Sequence, residues 1–249
     1  MRRDKFDRLF DRGRDAVLSG QHYRDTPPVD GGRWGISVIF RPGGELADRL
    51  DALTAEALDV AGGIHWPTGA RTTLHMTVRA LEAHRLAVPD EDVAVGRYGA
   101  ALRRAAASGR SVRLGFAGLT LTPSGVMACA YPADDAADSF AAVLADELGR
   151  DGGFEADFTR DIWYATLIHF TGPLPDPSAL VAWVAARRDI DLGSTHVQEV
   201  ELVRWQHSGS QPMRVPLLAV PLGKGGAAAA VDRPDFALSS PRVSPSANG

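Results

Sequence analysis

Two short tracts each set an imidazole and a hydroxyl two residues apart inside an apolar run: Leu74-His75-Met76-Thr77-Val78 and Ile168-His169-Phe170-Thr171. Successive side chains of a strand point to opposite faces, so positions i and i+2 project together. His75 and Thr77 then share one face, opposite Leu74, Met76 and Val78; His169 and Thr171 share another, opposite Ile168 and Phe170. Two such strands facing each other supply two histidines able to act as acid and base, with two hydroxyl donors. That set suits chemistry on a phosphodiester. Two imidazoles flanking one phosphate repel when both are charged, so their pKa values split and one serves as base, the other as acid. The Thr77 and Thr171 hydroxyls donate to the non-bridging oxygens as charge builds there. Arg79, two residues beyond Thr77, adds a charge-assisted contact from the same face.

Seven histidines occur in the chain, and in a chain of this composition chance alone gives two His-x-Thr pairs roughly one time in twenty. The elements around the tracts argue further against coincidence. The pattern predicts strands over 34–40, 72–81, 112–122, 125–131, 163–171, 197–205 and 214–222. It predicts helices over 45–60, 91–107, 135–148 and 177–187, with Leu46, Leu50, Leu53 and Ala57 marking the first of them. Strand, helix, His-x-Thr strand, helix, strand therefore occurs once over 34–122 and again over 125–205. The two histidines stand 94 residues apart and the leading strands about 91, Ile39 against Ala130. Near-equal offsets imply two pseudo-symmetric halves that set the motif strands across a shared cleft. The fold class expected is α+β: two pseudo-symmetric lobes of antiparallel sheet, outer helices and a central cleft.

Residues 1–30 form a charged extension with a short amphipathic helix at Phe6, Leu9 and Phe10, ending in the loop Pro27-Pro28-Val29-Asp30-Gly31-Gly32. The bilobal domain spans 31–223, with lobes 31–122 and 123–223 and strands open to exchange between them. Residues 224–249, rich in Gly, Ala, Ser and Pro, are expected to be a disordered tail.

A net charge of −4 argues against a protein that grips long double-stranded nucleic acid. Cys129 is the single cysteine, so neither an intrachain disulfide framework nor a cysteine-based zinc site can form. In its strand-like run it reads as a buried, inert thiol. No stretch approaches the ~18 apolar residues of a membrane span, and no apolar signal follows the basic N-terminus. The expectation is a cytoplasmic monomer. Trp66, in a loop before the first tract, and Tyr131, at a strand end, are candidates for stacking on a base.

At the two tracts the chain resembles the 2H phosphoesterase superfamily, the LigT-like 2′-5′ RNA ligases and 2′,3′-cyclic phosphodiesterases. The resemblance covers roughly residues 34–222 and implies a two-lobed α+β fold. It implies His75 and His169 as catalytic residues and the Thr77 and Thr171 hydroxyls as phosphate ligands, with no metal or organic cofactor. The substrate implied is a cyclic phosphate or 2′-5′ linkage of a nucleotide or RNA end. One departure stands out: Thr171 is followed by Gly172-Pro173 where the family has a hydrophobic residue. Ligation is the reverse of ester opening and uses the same groups. A nucleotide- or RNA-binding module is the alternative from another class, though pure binding has no need of two proton-transfer groups. A histidine metal enzyme is disfavoured because no acidic residue lies within three positions of either histidine.

Overall fold

Apolar residues at helical spacing along Gly44–Val60 bury Leu46, Leu50, Leu53 and Ala57 on one face, as their spacing dictates. The computed structural model describes residues 2–223 and contains five helices and eight strands among them. In chain order these are α1 (Arg2–Leu18), β1 (Ser37–Phe40), α2 (Gly44–Val60), β2 (Met76–Ala80), α3 (Val93–Ser108), β3 (Val112–Thr122) and β4 (Gly125–Pro132). Then follow α4 (Ala136–Leu148), a 3-10 turn (Gly149–Glu155), β5 (Trp163–His169), α5 (Pro177–Ala185), β6 (Asp191–Val197), β7 (Glu199–His207) and β8 (Pro212–Pro221). The tail expected over 224–249 lies outside the described residues.

Two antiparallel four-stranded sheets form, ordered β2-β1-β7-β8 and β5-β4-β3-β6. The two orders correspond term by term. Each begins with a strand that follows one of the tract histidines or ends on it, and each takes its third strand from the other half of the sequence. β3 pairs with β4, and β7 pairs with β1. Between the sheets and helices lies the main core, where Phe40 meets Phe140 and Trp163 at ring-centroid distances of 5.4 and 5.6 Å.

The N-terminal helix is longer than its apolar positions suggest. It packs along β3 and buries Phe6 and Val17. Strand β6 goes beyond the strands that the pattern predicts, because its Asp-Leu-Gly-Ser-Thr-His-Val run is weakly apolar. No helix among the described residues is long and apolar enough to cross a membrane.

Candidate active site

β2 and β5 each form one edge of their sheet, and a cleft of about 280 Å³ opens beside them. Both histidines line it. His75 immediately precedes β2, with Trp205 of β7 against its ring at 4.5 Å; His169 closes β5, with Trp34 against its ring at 4.9 Å. The two tryptophans meet at 5.5 Å, so a continuous aromatic bridge connects the imidazoles. Trp34 adopts φ of 71°, a left-handed conformation that side chains other than glycine's rarely take. Its neighbour Gly35 passes so close to Glu82 that a Cβ there would stand 2.0 Å from the Glu82 carbonyl oxygen.

Each imidazole is backed at Nδ1. The Thr73 carbonyl lies 2.8 Å from His75 Nδ1, and since a carbonyl only accepts, that nitrogen carries the hydrogen and Nε2 is bare. His169 Nδ1 lies 2.9 Å from the hydroxyl of Thr68, which is 1% exposed. That hydroxyl also donates to the Thr166 carbonyl at 3.3 Å, leaving its lone pair for an Nδ1–H. Burial holds the His75 imidazole down at about 4, with the Thr73 carbonyl opposing and the charges of Arg214, Arg41 and Arg160 adding. Burial, then the charges of Arg33 and His75, hold His169 at about 3.

Thr77 joins the histidines in the cleft, as its spacing requires. Thr171 does not. β5 ends at His169, and the Thr171 hydroxyl donates to the Ile64 carbonyl at 2.9 Å while its N–H donates to His65 Nδ1 at 3.1 Å. Thr166 stands beside His169 instead, three residues upstream. The register against β4 slips between Val126 and Met127, which pair with Ile168 and Thr166, so Leu167 is an extra residue and the face alternation shifts by one. Tyr164 consequently also faces the cleft.

A matching bulge corrects the expectation for Arg79. Val38 pairs with Arg79 but Ile39 pairs with Thr77, leaving Val78 unpaired, and it is Ala80 that lines the cleft. Arg79 instead donates to the carbonyls of Gly152 (2.8 Å) and Glu155 (3.1 Å), pinning the 3-10 turn that forms one wall. The cleft arginines are Arg160 and Arg33.

Neither stacking candidate faces the cleft. Trp66 is 4% exposed, bridges backbone-to-backbone with His169 and packs on Trp34 and His207. Tyr131 lines a separate cavity of about 190 Å³ together with Phe6 of α1 and Cys129. The Cys129 thiol is buried there and pushed up to about 12 by desolvation, which makes it a poor nucleophile at neutral pH. Among the described residues no group of three or more His, Cys, Asp or Glu is placed to hold a metal ion.

Thr68→Val isolates the backing of His169. It removes the acceptor for Nδ1–H and leaves that group buried and unpaired, at a cost of about 1–3 kcal/mol. The expected result is a kcat about 10- to 100-fold lower, with Thr68→Ser restoring most of it in the same steady-state assay.

No protein-family model matches the sequence, and no curated protein matches it. Solved structures do. TT0787 of Thermus thermophilus superposes with a TM-score of 0.56 at 18% identity, covering 77% of this chain and all of that one. A structure described as a phosphoesterase gives 0.53 at 14% identity, over 77% and 99% of the two chains. E. coli LigT complexed with 3′-AMP gives 0.51 at 16% identity, again over 77% and 99%. The chain has the two-lobed fold of the LigT-like 2H phosphoesterases, which the paired tracts implied.

Proposed function

We propose that this chain, with its LigT-like fold, is a metal-independent phosphoesterase. It hydrolyses a cyclic phosphate or 2′-5′ phosphodiester of a nucleotide or RNA end by two-histidine acid–base catalysis. The observation that carries the reading is the pair of imidazoles opening on one cleft from two different sheets, each supported at Nδ1. The phosphoesterase and the 3′-AMP-bound LigT among the similar structures support it.

The two imidazoles are not equivalent, and the difference in their surroundings supports one assignment of roles. His75 has a carbonyl behind it, which favours its charged form, so it takes up a proton first and acts as the general acid. His169 faces the Arg33 charge and stays neutral, with Nε2 bare when Nδ1–H points to Thr68; it is the general base. His169 removes a proton from water as the water oxygen bonds to phosphorus. The opposite P–O bond breaks, and His75 delivers its proton to the leaving oxygen. A phosphomonoester results. Thr77 and Thr166 are two of the cleft's hydroxyls, and both can donate to the non-bridging oxygens.

The test is a screen of 2′,3′-cyclic nucleotides, ADP-ribose cyclic phosphate and 2′-5′ oligomers, with the product phosphate located by phosphorus NMR. Hydrolysis of at least one, at a rate unchanged by EDTA, is the expected result. No turnover of any, or a rate lost to EDTA and restored by zinc, would overturn the reading.

A further inference from the structure

Four charged side chains line the cleft among the described residues, two of each sign: Arg33, Arg160, Glu82 and Glu155. Three of them are committed to the wall itself. Arg160, with its side chain 10% exposed, donates to Glu155 (3.1 Å), the Val78 carbonyl (3.3 Å) and the Tyr164 hydroxyl (3.5 Å). Glu155 also accepts from the Ala80 N–H at 3.1 Å. Glu82 accepts from Arg85 at 2.7 Å and from the Tyr98 hydroxyl at 3.1 Å.

Arg33 is different. Its side chain is 54% exposed, and its Nη1 is held at 2.8 Å by Asp25, whose own side chain is 2% exposed. The guanidinium lies over the rings of Tyr23 and Trp34 at 5.6 and 5.9 Å, which fixes its place while leaving N–H donors open to the cleft. The segment that carries it is tied to both lobes. Tyr23 N–H donates to Pro123 and Asp25 N–H to Phe170, each at 2.7 Å, on the second sheet's side. Gly31 N–H donates to His84, and His84 N–H to Gly32, each at 2.8 Å, beside the first.

We propose that the cleft selects a small molecule carrying one phosphodiester, a nucleoside or sugar cyclic phosphate, over the end of an RNA chain, with Arg33 as its cationic contact. The inference rests on the phosphoesterase reading and narrows its substrate. An RNA end brings further phosphates, and affinity for them comes from further Lys or Arg contacts, each adding to the salt dependence of binding. Here Arg160 is already paired with Glu155, so among the described residues lining the cleft Arg33 alone has donors open to a phosphate. The paired carboxylates of Glu82 and Glu155 add no cation. The volume agrees, since about 280 Å³ lies just below the ~300–1,000 Å³ of small-molecule sites and leaves room for a small ligand only.

The experiment measures equilibrium binding through the fluorescence of the cleft tryptophans, Trp34 and Trp205, so it does not depend on turnover. The probes are adenosine 2′-monophosphate and a short oligoadenylate ending in a 2′-phosphate, each titrated over a series of NaCl concentrations. The mononucleotide is expected to bind at least as tightly, with a slope of log affinity against log salt of about −1 for both probes. Arg33→Ala should weaken binding about tenfold at low salt and flatten the slope, whereas Arg33→Lys should retain it. Tenfold tighter binding of the oligonucleotide with a slope of several, no binding of either probe, or an unaltered slope in Arg33→Ala would overturn the proposal. Rates on the matching cyclic phosphates separate the two readings. The expected binding pattern without hydrolysis supports this selectivity and sinks the phosphoesterase assignment; preferential hydrolysis of the RNA end does the reverse.

Discussion

Replacing either cleft histidine with alanine is expected to lower kcat on a 2′,3′-cyclic nucleotide by about 10²–10⁴-fold, the usual contribution of a positioned acid or base. The double variant should lose little more than either single one, because the two residues act in one concerted proton transfer and their effects do not add. Folding should survive. Each ring meets a tryptophan at the cleft surface, and the large core side chains lie on the opposite faces of the strands. Two threonines sharpen the test. Thr77→Ala removes a hydroxyl in the cleft and should cost about tenfold, near the ~1 kcal/mol or more of a neutral hydrogen bond. Thr171→Ala removes only a bond to the Ile64 carbonyl and should leave kcat unchanged. A Thr171 variant as damaged as a histidine variant would mean that the second tract binds substrate as a regular strand after all.

That contrast marks how far local pattern reaches. His75, Thr77 and His169 are legible because period-two alternation places them on the polar face of an apolar run, which the structure keeps through Met76 and Ile168. Arg79 escapes it because alternation fails at an extra residue, and Thr171 because the strand ends at His169. Val78 and Leu167 each shift the face by one, and no residue type in either tract announces a bulge. Gly172-Pro173 does carry a signal, since proline restricts the residue before it and donates no ladder hydrogen bond. Thr68 and Arg33 lie in segments without periodicity, so only tertiary contact brings them to the site. The exchange of β3 and β7 between sheets is likewise a matter of long-range pairing. Repetition of element order reveals two halves but not which strand each half lends to the other.

The pH dependence of kcat/KM is expected to be inverted from the usual histidine profile. This parameter reports the free protein, where the cleft holds His75 at about 4 and His169 at about 3. The productive state has one imidazole charged and one neutral. Above pH 4 the charged fraction falls tenfold per unit, so kcat/KM should rise about tenfold for each unit of acidification between pH 8 and pH 5. A phosphodiester substrate does not titrate in that range and contributes no slope. Once bound, its negative charge offsets the burial that disfavours an imidazolium, so both pKa values move up and kcat should flatten toward neutrality. The same depression has a cost in stability, with a definite sign. Unfolded histidines titrate near 6.5, so below that pH the unfolded chain binds protons that the folded one refuses, and stability falls between about pH 6.5 and pH 4. Inorganic phosphate, bound between the imidazoles, should recover part of that loss in Tm and recover less in the His75→Ala variant. If kcat/KM is level from pH 5 to pH 8 while Tm is indifferent to phosphate, the two imidazoles do not exchange protons with a substrate in this cleft.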